Sequence, residues 1–308
     1  MGKIAFVFAG QGAQHSGMGR DLYLENNAAR AVFDRLEALR PGTLELCFAG
    51  EEEALKRTEN TQPALFAVEL AAAAALRAEG IVPAVAAGFS LGEVCALTDA
   101  GAFSLERGFA AVCCRGLLMQ QAADASDAAM GAVVKLANET VEALCAGSHA
   151  LWPVNYNCPG QLVVAGDRGE LSQLAAKVKE AGGRLLPLKV GGGFHSPLMA
   201  GAAEQFSGKL PEFAPVRPEY PVYSNCTAAP YEDDVVGLLA RQMKSPVRWQ
   251  TTVERLWEQG VDTFVEIGPG KTLCGLIQKT VPQARVCGVE DPAGLAAAVA
   301  LCKEGANA

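Results

Sequence analysis

Basic residues, histidines and paired cysteine motifs are scarce in this chain, and each scarcity removes a class of function. With 26 Lys and Arg against 34 Asp and Glu, the net charge is -8. Such a surface lacks the basic footprint of sequence-independent nucleic-acid binding, so no nucleic-acid partner is expected. The three histidines, His15, His149 and His195, are too few and too dispersed to form a metal cluster without carboxylates, and no metal site is predicted. Ten cysteines occur, but no two have Cys-x-x-Cys spacing and most sit inside apolar runs. They read as small buried apolar residues in a reducing compartment. The opening MGKIAFVFAG meets a glycine turn after about seven residues, too short for a signal peptide or a membrane span. A cytoplasmic protein with no membrane association is therefore expected. No internal repeat or low-complexity tract is present.

The chain does have apolar content: 308 residues, 50% hydrophobic, enough for a sizeable core. Strand KIAFVFAG, helical segments to about Leu39 and an alanine-rich helix over 62–80 lead to a short apolar strand ending near Gly88. A helix over 104–124 follows, and ADASDAAM (123–130) reads as a linker. Beyond it the pattern gives strand 131–136, helix 139–146, strands 152–157 and 161–166, helix 170–182 and strand 184–190. That βαββαβ order is the ferredoxin-like unit. After it, helices alternate with strands over 220–225, 262–267 and 284–289, which favours a parallel sheet covered by helices. The predicted fold is α/β, an α/β-hydrolase-like main domain (1–125 and 194–308) carrying an inserted ferredoxin-like subdomain (126–193).

The stretch AVAAGFSLGEVCALTDAG (84–101) places Ser90 between Gly88 and Gly92. A strand, Gly-x-Ser-x-Gly and a helix closed by glycine match a nucleophile elbow, in which a Cβ two residues either side of the serine would clash. The pattern alone also fits an ordinary serine between two glycines. A serine hydroxyl needs a base. His195, in VGGGFHSP where the insert rejoins the main domain, is the best placed of the three histidines, with His149 buried in the insert's helix-to-strand loop; the alternative is a loop histidine satisfied by backbone groups. Arg115 has Ala111, Val112, Leu118 and Met119 at helical spacing, so its guanidinium projects from an apolar stripe. Its partner is either an acid distant in sequence or a ligand carboxylate. FAGQGAQHSGMG fails as a dinucleotide fingerprint because His15 holds the third glycine position, and GPGKT fails as a phosphate loop because Val265 stands where its first glycine belongs. The Gly10–Gly12 turn can still present Gln11 as an oxyanion donor, with the amide of Leu91 as the second, each worth about 3 kcal/mol in a transition state. For an anionic substrate the best basic patch is Arg241, Lys244 and Arg248 with Lys271 and Lys279.

The motifs GQGAQ (10–14), GFSLGE (88–93), CCRGLLMQ around Arg115, NYNCPGQLVVAG (155–166), FHSPLM (194–199), RQM with PVRW (241–249) and VEIGPGKTL (265–273) together resemble the malonyl-CoA:acyl carrier protein transacylase family, over essentially the whole chain. The resemblance implies ping-pong transfer: Ser90 takes malonyl from coenzyme A as an ester and yields it to the phosphopantetheine thiol of acyl carrier protein. It implies no permanently bound cofactor, coenzyme A thioester being a substrate. By the same resemblance His195 is the base, the carbonyl of Gln242 orients it, Arg115 binds the malonyl carboxylate, Gln11 and Leu91 form the oxyanion hole, and Phe194 marks malonyl preference. Phe89 and Cys158 depart from the family, which usually has histidine and serine there; Phe89 falls where it can reshape the acyl pocket. Two other readings follow from the residues. A serine hydrolase or thioesterase would use Asp167 as its acid, and a weakly active paralogue altered at Phe89 would only hold a carrier protein.

Overall fold

Five parallel strands carry the larger part of the chain. The computed structural model describes residues 2–188 and 190–304. Strands β1 (Lys3–Phe8), β2 (Val85–Gly88), β7 (Val222–Tyr223), β8 (Val261–Ile267) and β9 (Arg285–Val289) form one sheet in the order β7-β2-β1-β8-β9. In β1, Phe6 and Phe8 enter one apolar cluster while Ala5 and Val7 enter another. A strand with period-2 side chains and apolar clusters on both faces is buried on both, which is why its sequence reads as an unbroken apolar run.

The helix Thr58–Ala78 is buried nearly all round, and its alanines let neighbouring elements approach closely. It begins before the expected start at Gln62 because the amide of Thr58 donates to Gln120 Oε1 at 2.7 Å, supplying a distant acceptor for the first turn.

A second sheet is antiparallel: β3 (Ala128–Val134), β4 (Leu151–Cys158), β5 (Gln161–Asp167) and β6 (Arg184–Pro187), in the order β4-β5-β3-β6. With helices Asn138–Cys145 and Arg168–Glu180 it runs β-α-β-β-α-β. The expected linker over 123–130 is much shorter. The preceding helix runs to Asp124, and Ala128, Ala129 and Met130 already pair with Asp167, Gly166 and Ala165. These small residues looked too featureless for a strand, and their pairing with β5 decides the matter. The strand expected over 184–190 ends at Pro187, and Lys189 lies outside the described residues. The strand expected over 220–225 is reduced to Val222–Tyr223.

Alternate residues divide the second sheet between two cores. Val133, Leu162 and Val164 pack against its own helices, while Met130, Ala132, Val163 and Ala165 join the cluster holding Phe6 and Phe8. The amide of Tyr156 donates to the carbonyl of Val247 at 2.9 Å, and that of Val247 to Val154 at 2.8 Å, tying β4 to the segment after Gln242. All ten cysteines are free thiols. No helix among the described residues is long and apolar enough to cross a membrane.

Phe8 lies opposite Gly88 and Ala87 opposite Tyr223, so β1, β2 and β7 release their chains at one edge. Crevices outside the carboxyl ends of parallel strands are where open α/β sheets bind ligands. Two glycines let these loops meet. A Cβ on Gly88 would lie 1.9 Å from Gly92 backbone atoms, and one on Gly92 would lie 2.3 Å from the Phe8 carbonyl oxygen. Neither neighbour is a side chain that can turn away. We expect Gly88→Ala to lower unfolding free energy by more than about 3 kcal/mol in denaturant titrations, at the upper end of overpacking costs. A loss below about 1 kcal/mol, the ordinary range for tolerated changes, would mean that the turn is not sterically locked.

Candidate active site

Ser90 sits between β2 and the helix Leu91–Asp99 with φ 55° and ψ -100°, a conformation an L-residue holds only when its surroundings impose it. Here those surroundings are side chains from far along the sequence. The Ser90 amide donates to Asn225 Oδ1 at 2.8 Å, and its carbonyl accepts from Gln242 Nε2 at 2.6 Å. Asn225 in turn donates through Nδ2 to the Gly88 carbonyl at 2.7 Å. Both backbone polar groups of the serine are thus held from outside the turn.

The hydroxyl faces His195. Ser90 Oγ lies 2.7 Å from His195 Nε2, and His195 Nδ1 lies 3.0 Å from the carbonyl oxygen of Gln242. A carbonyl only accepts, so Nδ1 carries the ring proton and Nε2 is left as the acceptor for the serine. His195 also has a positive φ, 62°, and its amide donates to the Met243 carbonyl at 3.1 Å. The imidazole is therefore fixed through both ring and backbone to the turn after Gln242. Burial, then the nearby Arg115 charge, pull its pKa down from 6.5 to about 4. His149, expected to be buried, is exposed in its loop.

Arg115 is fully buried. Its Nη1 donates to Gln62 Oε1 at 2.8 Å, and its Nη2 to Gln242 Oε1 at 2.8 Å and to Ser90 Oγ at 3.2 Å. Nε has no partner among the described residues. Burial pulls the guanidinium down to about 10, with Glu93 opposing, so it is charged at neutral pH. Of the two partners open from sequence, an acid in direct contact is not present among the described residues; the Glu93 carboxyl lies one amide away, through Gln242.

A cavity of about 70 Å³ between the two sheets is lined by Gln11, Phe89, Ser90, Phe194 and His195, among others. A larger apolar-walled one of about 210 Å³ adjoins it, sharing Gln11 and Phe89. Phe89 packs edge-on against Trp249, with centroids 5.7 Å apart. Gln11 lies in the turn after β1, and its Nε2 donates to Thr58 Oγ1 at 3.2 Å. Leu91 opens its helix, so its amide has no carbonyl one turn back. Asp167 is elsewhere: exposed at the end of β5, it accepts the amide of Glu170 as the cap of the next helix. No group of three or more His, Cys, Asp or Glu among the described residues could hold a metal ion.

A serine and a histidine lining one chamber, with a buried cation reaching the serine oxygen from behind, are parts that acyl transfer can use, and the chain's relatives are acyl transferases. The family model for the acyl transferase domain matches residues 5–303. The chain belongs to the acyl transferase family. The malonyl CoA-acyl carrier protein transacylase of Bacillus subtilis is 37% identical over 99% of this chain and 98% of its own length. Among solved structures, the malonyl CoA-acyl carrier protein transacylase of Clostridium perfringens superposes with a TM-score of 0.95 at 36% identity, over 99% of this chain and 98% of that one. A malonyl-transacylase in complex with a type II polyketide acyl-carrier protein gives a TM-score of 0.93 at 35% identity, over 97% of this chain and 99% of that one.

Three residues of this acyl transferase site escaped sequence reasoning: Gln62, Glu93 and Asn225. Glu93 had the signal that singled out Arg115, a charge among apolar neighbours on a helix. Gln62 was a polar residue in a similar run. Asn225 gave none, because its place depends on the pairing of β7 with β2.

The neutral imidazole is the form that can take the serine proton, and its low pKa sets the pH range. The rate of Ser90 modification by phenylmethylsulfonyl fluoride should stay level as pH falls from about 8 to about 5, because a base is competent only above its pKa. It should then drop through a midpoint near 4. A midpoint near 6.5, the ordinary value, would show that burial and Arg115 do not control the base.

Proposed function

We propose that this acyl transferase moves malonyl from malonyl-CoA to the phosphopantetheine thiol of acyl carrier protein through a malonyl-Ser90 ester, supplying fatty acid or polyketide chain extension. The observation that carries the reading is a buried arginine reaching the same serine oxygen as the base. Nη2 of Arg115 is 3.2 Å from Ser90 Oγ, so an acyl group on that oxygen bearing a carboxylate two carbons away meets the guanidinium, whereas an acetyl group does not.

In the proposed sequence, His195 Nε2 takes the proton as Ser90 Oγ attacks the thioester carbonyl. The tetrahedral oxyanion is met by the amides of Gln11 and Leu91, and collapse breaks the carbon–sulfur bond. The proton passes from His195 to the departing coenzyme A thiolate. The carrier thiol then gives its proton to His195 and attacks the ester, and Ser90 Oγ leaves and recovers the proton. Gln242 holds the imidazole through its carbonyl, doing the orienting work of a triad carboxylate. Phe194 and Phe89 wall the acyl chamber. A carboxylate settling on Arg115 offsets the charge that weakens His195, so the correct acyl group strengthens the base that processes it.

The same reading divides the chain into a discontinuous α/β-hydrolase-like catalytic domain (1–125 and 194–308) and a ferredoxin-like subdomain (126–193), with the chamber between them. The strand order β4-β5-β3-β6 supports the second label. For the acidic carrier and the coenzyme A phosphates we propose Arg241, Lys244, Arg248, Lys271 and Lys279, all exposed. Ten unpaired thiols support a cytoplasmic setting.

Incubation with malonyl-CoA alone should add a malonyl group to the intact mass of the wild type and none to Ser90→Ala. Arg115→Ala should cut malonyl transfer about 100-fold and acetyl transfer much less, the difference being the lost charge-assisted hydrogen bonds. Asp167→Asn should leave turnover intact. Equal losses with both acyl groups would reduce Arg115 to a structural part, and collapse in Asp167→Asn would favour the hydrolase. No malonyl adduct and no coenzyme A release from the wild type would favour a binding-only paralogue.

A further inference from the structure

Glu93, fully buried on the helix that begins after Ser90, is given no part in the transfer above, yet one of its oxygens reaches both residues that hold the Ser90 backbone. Its Oε2 accepts the amide of Asn225 at 2.8 Å and Nε2 of Gln242 at 3.3 Å. Its Oε1 accepts the hydroxyl of Tyr231, which is itself buried.

The Gln242 amide is the critical link. Its Nε2 faces acceptors, the Ser90 carbonyl at 2.6 Å and Glu93 Oε2 at 3.3 Å, with Asn225 Oδ1 at 3.4 Å. Its Oε1 faces Arg115 Nη2 at 2.8 Å. Turned by half a revolution, the amide would set a donor against the guanidinium and an acceptor against the other oxygens. The sense of this one amide therefore decides whether Arg115 is held over Ser90 or pushed away from it.

We infer that Glu93 is a positioning residue for acyl selection: it fixes the sense of the Gln242 side-chain amide, and through it aims Arg115 at the acyl carboxylate. The inference rests on the malonyl-transfer reading. The bond from Glu93 to Asn225 serves a second group in the same way, since Asn225 holds the Ser90 amide.

The test separates aiming from charge and from folding. Single-turnover acylation of Ser90 by malonyl-CoA and by acetyl-CoA is measured for the wild type, Glu93→Gln and Glu93→Met, with thermal melts alongside. In Glu93→Gln the new amide can turn its NH2 to the Tyr231 oxygen and keep its carbonyl toward Asn225 and Gln242, so the malonyl preference should stay within about threefold of wild type, within the range of a neutral replacement hydrogen bond. Glu93→Met keeps the bulk and loses both acceptors, and the preference should fall about tenfold or more. A folded Glu93→Met with unchanged preference overturns the inference. So does a Glu93→Gln that loses as much as Glu93→Met, since charge would then be the cause.

If Glu93→Met does not fold, the cycle of Glu93→Gln with Tyr231→Phe decides. Each single variant keeps an acceptor toward Gln242. The double variant has lost the hydroxyl that holds the new amide, so its preference should fall beyond the product of the two singles. A double variant with no such excess overturns the inference. A wild type that forms no malonyl-serine would instead sink the transfer reading itself, which is a distinct result.

Discussion

A fully buried guanidinium with no carboxylate in contact among the described residues is the constraint on which the centre of this molecule depends. Burying a cation is costly unless hydrogen bonds replace its water. Here the replacements are the side-chain oxygens of Gln62 and Gln242 and the hydroxyl of Ser90. They come from the long alanine-rich helix, from the turn that anchors His195 and from the elbow. Satisfying Arg115 therefore draws together three parts of the chain that are distant in sequence. Among the described residues the hydrogen bonds to the charge come from neutral oxygens, so a ligand carboxylate arriving there gains a partner without having to displace one of its own kind.

The strained serine depends on the same network. Glycines at 88 and 92 permit the elbow sterically, but permission does not hold a residue at φ 55° and ψ -100°. Asn225 and Gln242 hold it by taking up the serine's amide and carbonyl. Gln242 thus acts at three points: its backbone carbonyl on the imidazole, its side-chain oxygen on Arg115 and its side-chain nitrogen on the serine carbonyl. Ser90, His195 and Arg115 cannot shift independently while one residue touches all three.

Much of this was legible in the residues. Period-2 and helical patterns located both sheets and the order of the second. The elbow glycines announced a steric lock that the backbone contacts bear out, and Arg115 announced its burial by its neighbours. What stayed hidden has a common cause. The pairing of Ala128–Met130 with β5, the shortness of β7 and the contribution of Asn225 all depend on contacts between segments far apart in sequence, and local propensity carries no record of them. Glu93 is the instructive case, because its signal equalled that of Arg115 and only the partner was missing.

That missing partner bears on how the site is balanced. Burial raises the Glu93 carboxyl to about 7, against the pull of Tyr231, Asn225, Gln242 and Arg115, while burial and Arg115 lower His195 to about 4. The cation thus lowers the basicity of His195 at the same time as its donor bond to Ser90 Oγ stabilises the serine oxygen. An acyl carboxylate on Arg115 reverses the first effect, and it competes with Ser90 for the same donors. Under the proposed chemistry the site is at its weakest as a base when nothing is bound, and it gains strength only with an acyl group of the right charge. Selection and activation are then two consequences of one charge, placed where a neutral acyl group cannot reach it.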